Sequence, residues 1–433
     1  MIVAAPPSDV APPSRLLSIR MAWFLACAFC ATANFYLLWS TLPLAASAAG
    51  TAAAGLVTGI SMLGCVATEV LIAARVLRLG HVPAMALGTG LMTLGVGLLI
   101  VPAAVQALPG PLLQVPGALS IGRRELPLML NEHGLPLVFA ASLIRGVGLA
   151  IIAVAGTAIA ADIAPLGRRG QALGLYGVAM TIPGAVALPA GIWIAHHHGF
   201  LDVFLLALIF GAVSFGLAFL IPPRRKTWAG RSPMFGVLRQ ARARRQVLVF
   251  LTTTIAAGIY GSFLAIAMSG TPANVIALAL LTQTGAAAIA RWAAGWMGDR
   301  LGARRLLVPG VLTAVAGGVL AILVGEPAFV VAGMLLFGIG FGALQNVTLA
   351  LMYEGVPERG FAGVSTVWNT AYDAGMGAGA VGFGFLAQAG GFPAGFAATA
   401  AVLGLGLFPA VRDSADRASL NRWAGEPDGP SPS

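Results

Sequence analysis

Long apolar stretches separated by short polar turns run through this chain from residue 21 to residue 411. About 20 residues of helix cross a hydrocarbon core. Runs of that length fall at roughly 21–47, 52–75, 83–105, 135–161, 170–196, 201–222, 246–268, 272–297, 304–325, 328–352, 362–388 and 391–411. The pattern therefore predicts twelve membrane-spanning helices. The ends differ: residues 1–20, with their proline-rich APPSDVAPPS, predict a disordered tail, and 412–433 form a second polar tail. Ala46-Ser47-Ala48 resembles a signal-peptidase site, but the apolar core before it is too long for a cleaved leader, so the first span is kept.

Composition agrees and narrows the class. With 58% hydrophobic and 9% charged residues over 433 positions, at a mean hydropathy of +0.90, the chain cannot be a soluble globular protein. Its net charge of +10 reads as topology. Arg224, Arg225, Lys226, Arg231, Arg239, Arg242, Arg244 and Arg245 crowd the connection between the sixth and seventh spans without an acid among them. That linker, 223–245, is predicted to lie inside, which puts both termini in the cytoplasm of a bacterial inner-membrane protein. The linker can attract anionic lipid; no nucleic-acid partner is implied.

An internal repeat gives the architecture. DIAPLGRRGQALGLYG laid over EGVPERGFAGVSTVWN pairs Asp162 with Glu354, Pro165 with Pro357 and Tyr176 with Trp368 at one offset, 354 − 162 = 192, which also pairs Gly146 with Gly338 and Gly148 with Gly340. The expected fold is all-α, twelve transmembrane helices in two pseudo-symmetric six-helix bundles, 21–222 and 246–411, with a site between them. Arg78-Leu79-Gly80 pairs instead with Arg300-Leu301-Gly302 at 302 − 80 = 222. The first half therefore carries an insertion of about thirty residues near 103–134, on the exterior face. It reads as a lid or as a passive loop.

The knot of charge at RWAAGWMGDRLGARR brings the family into view. Gly295, Asp299, Arg300, Gly302, Arg304 and Arg305 reproduce the G-x-x-x-D-R-x-G-x-R-R loop of the major facilitator superfamily, and the chain resembles that superfamily over about 20–411. The resemblance implies that this loop is a cytoplasmic gate. Asp299 would latch onto the start of the fifth span near Gly170 and Gln171, at the positive end of that helix. In the first-half echo Leu77 replaces the acid and Ala73 the glycine, so only the second half keeps the latch.

Ionisable side chains inside spans are functional candidates. Arg145, in LIRGVGLA, resembles the fourth-helix arginine that the family associates with proton coupling; a buried arginine holding backbone carbonyls is the other reading. Glu69 in the second span is either a proton site or a partner for Arg75 or Arg78. Asp373 opens a D-x-G-x-x-x-G pattern (Asp373, Gly375, Gly379) resembling the eleventh helix of bacterial sugar or arabinose efflux permeases; the alternative is an acid capped by a neighbouring helix end. A carboxyl among apolar and glycine-rich helix faces a penalty on its charge, which suits it to carrying a proton.

Cavity candidates are Asn34, Tyr36, Trp39, Tyr260, Gln345, Asn346, Trp368, Asn369 and Tyr372. Trp368 and Tyr372 share one helical face, and Asn369 and Asp373 the adjacent one. Ser40, Thr252, Thr253, Thr254 and Ser262 are softer candidates, since intramembrane polar groups often bond a neighbouring helix. Gly184, Pro189 and Gly191 resemble a worn form of the drug-antiporter signature, with Leu188 in place of its glycine. Cys27, Cys30 and Cys65 read as small packing residues rather than a Cu(I) site, and His196-His197-His198 as an interfacial cap.

Together these imply a secondary transporter of a small organic molecule, first read as proton-driven efflux, with nutrient uptake and a non-transporting receptor as alternatives. The implied partners are a small-molecule substrate, protons and membrane lipid, and the implied state is a monomer. Neither enzymatic activity nor a cofactor or metal is expected, since the sequence offers no Walker loop, His/Cys cluster or nucleophile with a base.

Overall fold

A computed structural model describes residues 18–107, 134–164, 168–221, 234–354, 356 and 360–413. The N-terminal tail before Ser18, most of the exterior insertion and the C-terminal tail lie outside the described residues. Among the described residues, eleven continuous helices are long and apolar enough to cross a membrane, and the last, Gly363–Asp413, is two spans in one. Its helix Phe361–Leu405 breaks at Gly391, where φ is 78° and ψ is 172°. Pro393 then opens the twelfth span, where a missing N–H costs nothing.

The spans are α1 (Ile19–Trp39), α2 (Thr51–Ala67), α3 (His81–Ala107), α4 (Leu135–Ile163), α5 (Arg169–His197) and α6 (Phe200–Ala218) in the first half. The second half holds α7 (Ala241–Ala267), α8 (Ala273–Leu301), α9 (Leu307–Ala321), α10 (Pro327–Glu354), α11 (361–390) and α12 (392–405). Ser18 caps α1, accepting from the Met21 N–H at 3.2 Å. A short helix, Thr41–Ala46, extends α1 to the turn at 47–50. The seventh span starts at Ala241, five residues before the apolar run, because Arg242, Arg244 and Arg245 ride its first turns. Arg244 Nη1 reaches back to the Leu238 and Arg239 carbonyls at 3.3 and 3.0 Å.

Backbone geometry repeats at the same two offsets as the sequence. Gly80 (φ 91°) and Gly302 (φ 86°) end the α2 and α8 segments, 222 residues apart. Gly199 (φ 101°) and Gly391 (φ 78°) make the α5/α6 and α11/α12 turns, 192 residues apart. Only glycine takes these conformations without strain. Packing repeats as well: α1 on α5, α2 on α4 and α3 on α4 have their counterparts in α7 on α11, α8 on α10 and α9 on α10. The two six-helix bundles expected from the sequence are therefore present.

The halves meet mainly along α2 against α11 and α5 against α8. The α2/α11 seam is built of small residues. A methyl on Gly55 would lie 2.4 Å from the Ala380 carbonyl oxygen, one on Gly384 2.7 Å from the Thr51 oxygen, and one on Gly377 2.7 Å from Met62 Cβ. Such faces let backbones approach closely in lipid. Cross-links gather toward the end carrying the 47–50 turn: Thr51 Oγ1 donates to the Gly384 oxygen at 2.9 Å and Thr58 meets the Ser262 hydroxyl at 2.8 Å. Ser40 donates to the Gly261 carbonyl there as well.

Candidate functional site

Half-way through the bundle, α1, α2, α7, α8, α10 and α11 turn aromatic and charged side chains toward one another. On α11, Trp368 and Tyr372 stack with centroids 5.9 Å apart, as their spacing predicts. Phe250 of α7 covers Trp368 at 4.4 Å, and Phe341 of α10 faces Tyr372 at 6.2 Å. The Trp368 indole N–H donates to Thr348 Oγ1 at 3.2 Å, which fixes the ring. From the first half, Tyr36 reaches Tyr372 across the boundary between the two bundles. Gly184 of α5 leaves room for the Tyr36 ring, since a methyl there would lie 3.0 Å from it.

Arg291 completes this box. Gly338 and Gly342 of α10 pack directly on the Gln283 and Ala287 carbonyls of α8, where added methyls would come within 2.3 and 2.1 Å. That close approach carries Arg291, one turn past Ala287, to α10, where its Nη1 donates to Gln345 Oε1 at 3.0 Å. Its guanidinium lies 6.0 Å from the Trp368 ring centre. Tyr36, Arg291, Tyr372 and Asp373 all keep some accessible surface although they lie in the middle of the bundle, as groups lining an enclosed space do.

Beyond Tyr372 lies a second cluster, in the α2/α11 seam. The α2 helix widens into a π-helical turn at Thr68–Ile72, a feature often found at functional positions. Glu69 sits in that turn, buried, and accepts from Thr370 Oγ1 of α11 at 3.0 Å. Asp373, one turn along α11, lies beside Cys65 and close enough to Glu69 for the two carboxylates to interact. The Cys65 thiol itself donates to the Gly146 oxygen at 3.2 Å. Of the two readings left open for Glu69, the geometry gives it an α11 partner in place of Arg75 or Arg78.

Arg145 is apart from these. It is 3% exposed, donates from Nη2 to the Asn34 and Phe35 carbonyls at 3.4 and 3.2 Å, and lies 5.4 Å from the Phe35 ring centre. It braces the middle of α1 from α4, the carbonyl-holding alternative, and among the described residues no hydrogen bond joins it to Asp373. Asn34 holds the Ala207 carbonyl of α6 at 2.7 Å. Tyr260 is wholly buried between Phe337 and Phe396, at 4.7 and 5.8 Å, in the core of the second half. Trp39 packs on Gly261 toward the end carrying the 47–50 turn, Asn346 lies against Gly295, and Asn369 is half-buried on α11. Thr252 and Thr253 donate to carbonyls of their own helix, both at 2.8 Å.

At the far end, Gly302 closes α8 through a 2.9 Å bond from its N–H to the Gly298 oxygen. Arg300 stacks on Trp296 at 3.9 Å, and Arg305 is exposed. Arg304 is buried against Asp413 after α12, with Nε 3.5 Å from the carboxylate and Nη1 donating to the carbonyl at 3.2 Å. This anchor was absent from the sequence reading. Asp299 and Gln171 are both exposed. The hydrogen bond between α5 and α8 lies farther in, from Thr284 Oγ1 to the Ala185 oxygen at 3.4 Å. At the end carrying the 47–50 turn, His197 stacks on Trp193 at 4.4 Å; nearer the opposite end, Cys27 of α1 donates to the Ser214 carbonyl of α6 at 3.3 Å.

Sequence reasoning gave no site role to Arg291, which it absorbed into the gate loop, or to Thr370, which carries no charge to mark it, and it read Cys65 as a packing residue. A search of curated proteins returned no match. Among solved structures, a D-xylose-proton symporter superposes with a TM-score of 0.71 at 16% identity, covering 92% of this chain and 97% of that one. The nucleoside transporter NupG gives 0.63 at 12%, covering 92% and 98%. A bacterial homolog of the human lysosomal transporter Spinster gives 0.62 at 15%, covering 90% and 92%. At these identities the likeness is one of fold. The sequence model of the Major Facilitator Superfamily matches over residues 24–273 and again over 247–427, once for each half. With the repeated turns, the repeated helix packing and the loop at Asp299, these matches make the chain a member of the Major Facilitator Superfamily.

Proposed function

We propose that this protein is a proton-coupled secondary transporter that moves a small organic solute by alternating access, with the Glu69 and Asp373 pair as its proton site. The observation that carries this reading is the placing of two carboxylates, one from each half, in a single apolar seam. Two like charges so close in a low dielectric repel strongly, and sharing a proton relieves the repulsion. A proton bound there favours α2 and α11 together; its loss favours their parting. Protonation is thereby tied to the motion that exposes the central box to one side or the other.

Orientation follows from the arginine-rich linker, which favours a cytoplasmic location for both termini in a bacterial inner membrane. The end where the Ser40, Thr51 and Thr58 cross-links gather is then the exterior one, and their closure of that end supports an inward-facing conformation. Exchange and symport differ in whether proton and solute compete for one place. Here the acids lie in the seam and the aromatic box on the far side of Tyr372, so both can load together. That arrangement favours symport and uptake over the efflux first read from the eleventh-span and fifth-span resemblances.

The test is accumulation of a labelled compound panel in right-side-out and everted vesicles, with and without a pH gradient, for the wild type and for Glu69→Gln and Asp373→Asn. Gradient-driven transport lost in both variants supports the pair as the proton site. Gradient-driven transport at wild-type rate in both excludes it.

A further inference from the structure

Arg291 is a cation without a counter-ion in a place where charge is costly. It stands ten residues before the end of α8, about 15 Å into the bundle by helical rise. It is half-buried, and among the described residues no carboxylate pairs with it. The seam acids face each other instead: Glu69 accepts from Thr370, and Asp373 lies beside Glu69 and Cys65. Gln345 accepts one hydrogen bond and brings no charge. A guanidinium has five N–H donors in a planar fork that matches a carboxylate. Around the remaining donors stand the Tyr36 and Tyr372 hydroxyls and the rings of Trp368, Phe250 and Phe341.

We propose that this box is the binding site for an organic monocarboxylate with a flat or apolar body, its carboxylate on Arg291 and the tyrosine hydroxyls and its body against Trp368 and Tyr372. The proposal rests on the reading of the chain as a transporter with a central site, and it names the substrate class. The anion supplies the counter-charge for Arg291, and the two tyrosines offer their hydroxyls to it. A cationic solute meets Arg291 as a like charge. A neutral polyol finds a mainly aromatic wall with few acceptors beyond Gln345 and leaves the guanidinium unpaired.

The test is equilibrium binding to the purified full chain in lipid nanodiscs at one fixed pH, without any gradient, by calorimetry and thermal shift. The probes are benzoate, phenylacetate and hexanoate, with benzamide, phenylacetamide, benzylamine and D-xylose as controls. At least one carboxylate is expected to bind about tenfold or more tighter than its own amide. Arg291→Gln loses that preference, Arg291→Lys recovers part of it, and Trp368→Ala weakens the aromatic acids more than hexanoate. Amides that bind as well as their acids overturn the proposal, as does carboxylate binding unchanged in Arg291→Gln, or no binding by any of the three acids at millimolar concentration. If Arg291→Gln does not fold, the acid-against-amide comparison in the wild type decides alone. Because no proton gradient is used, failure of the coupling assignment leaves this result intact. Gradient-driven movement of a neutral solute without carboxylate binding would overturn the anion site and leave the transporter reading standing.

Discussion

The Thr370 hydroxyl of α11 donates to the Glu69 carboxylate of α2 at 3.0 Å, which ties the two halves at the place where Asp373 also faces the seam. This contact joins residues 301 positions apart, and its two helices must move against each other in any alternating-access cycle.

Asp373→Asn is therefore expected to abolish solute movement driven by a pH gradient while solute-for-solute exchange continues. The amide keeps the shape and hydrogen-bonding capacity of the side chain and loses only its titration. Counterflow and gradient-driven accumulation measured in the same proteoliposomes check this, and loss of both would make Asp373 a structural residue.

Carboxylate binding is expected to strengthen as pH falls from about 8 to about 6, a range in which an ordinary carboxylic acid stays ionised in water. The sign follows from charge. With both seam acids ionised, Arg291 and the pair sum to a negative site, and each proton bound there lessens repulsion of an incoming anion. Glu69→Gln combined with Asp373→Asn should flatten the dependence, as calorimetric titrations at several pH values will show.

Asp299→Asn is expected to cut the transport rate at least several-fold with little change in melting temperature. The carboxylate is exposed in this conformation, so it contributes little to stability here, while the opposite conformation is the one it would latch. Wild-type transport in the variant would remove the gate role carried over from the family loop.

Arg304→Met is expected to destabilise the second half by about 3 kcal/mol, because it strands the buried Asp413 carboxylate. Pairing it with Asp413→Leu should recover most of the loss. Thermal unfolding of the two variants in one detergent gives the comparison.

Gly55→Val places a side chain against the Ala380 carbonyl, where even a methyl carbon would lie at 2.4 Å. Overpacking of this kind costs about 1–3 kcal/mol, enough to shift a two-state equilibrium by roughly five-fold to more than a hundred-fold. The seam should open, and spin labels at Ala48 and Gln388 are expected to report a longer distance than in the otherwise unaltered protein.

Much of the fold was legible because bilayer thickness fixes helix length and glycine marks the turns. The apolar runs 362–388 and 391–411 already separated the eleventh and twelfth spans, and the nearly continuous helix breaks there at Gly391. The site was less legible, for physical reasons. Charge inside a span flags Glu69, Arg145 and Asp373, but only packing says which of them meet. Arg145 turns inward to α1 carbonyls, whereas Glu69 reaches α11 through a π-helical turn that no apolar periodicity reveals. Arg291 was hidden by its neighbours: next to the gate glycines it reads as part of the loop, though it lies two turns deeper. Tyr260 shows the opposite error, a polar aromatic residue that packs as core.

The small-residue contact between α2 and α11 has one more consequence. Interlocked side chains would have to leave their rotamers before the helices could separate, and each would add to the barrier. Gly55 and Gly384 meet backbone in place of such teeth, which leaves Met62 against Gly377 and Val381 against Gly59 as the side chains that interlock there. The two helices bear on each other largely backbone to backbone, so adhesion is short-ranged and weakens within a small displacement. A transporter built on this bearing parts with few rotamer changes, and the polar links near its ends weigh more in the barrier than friction along its length.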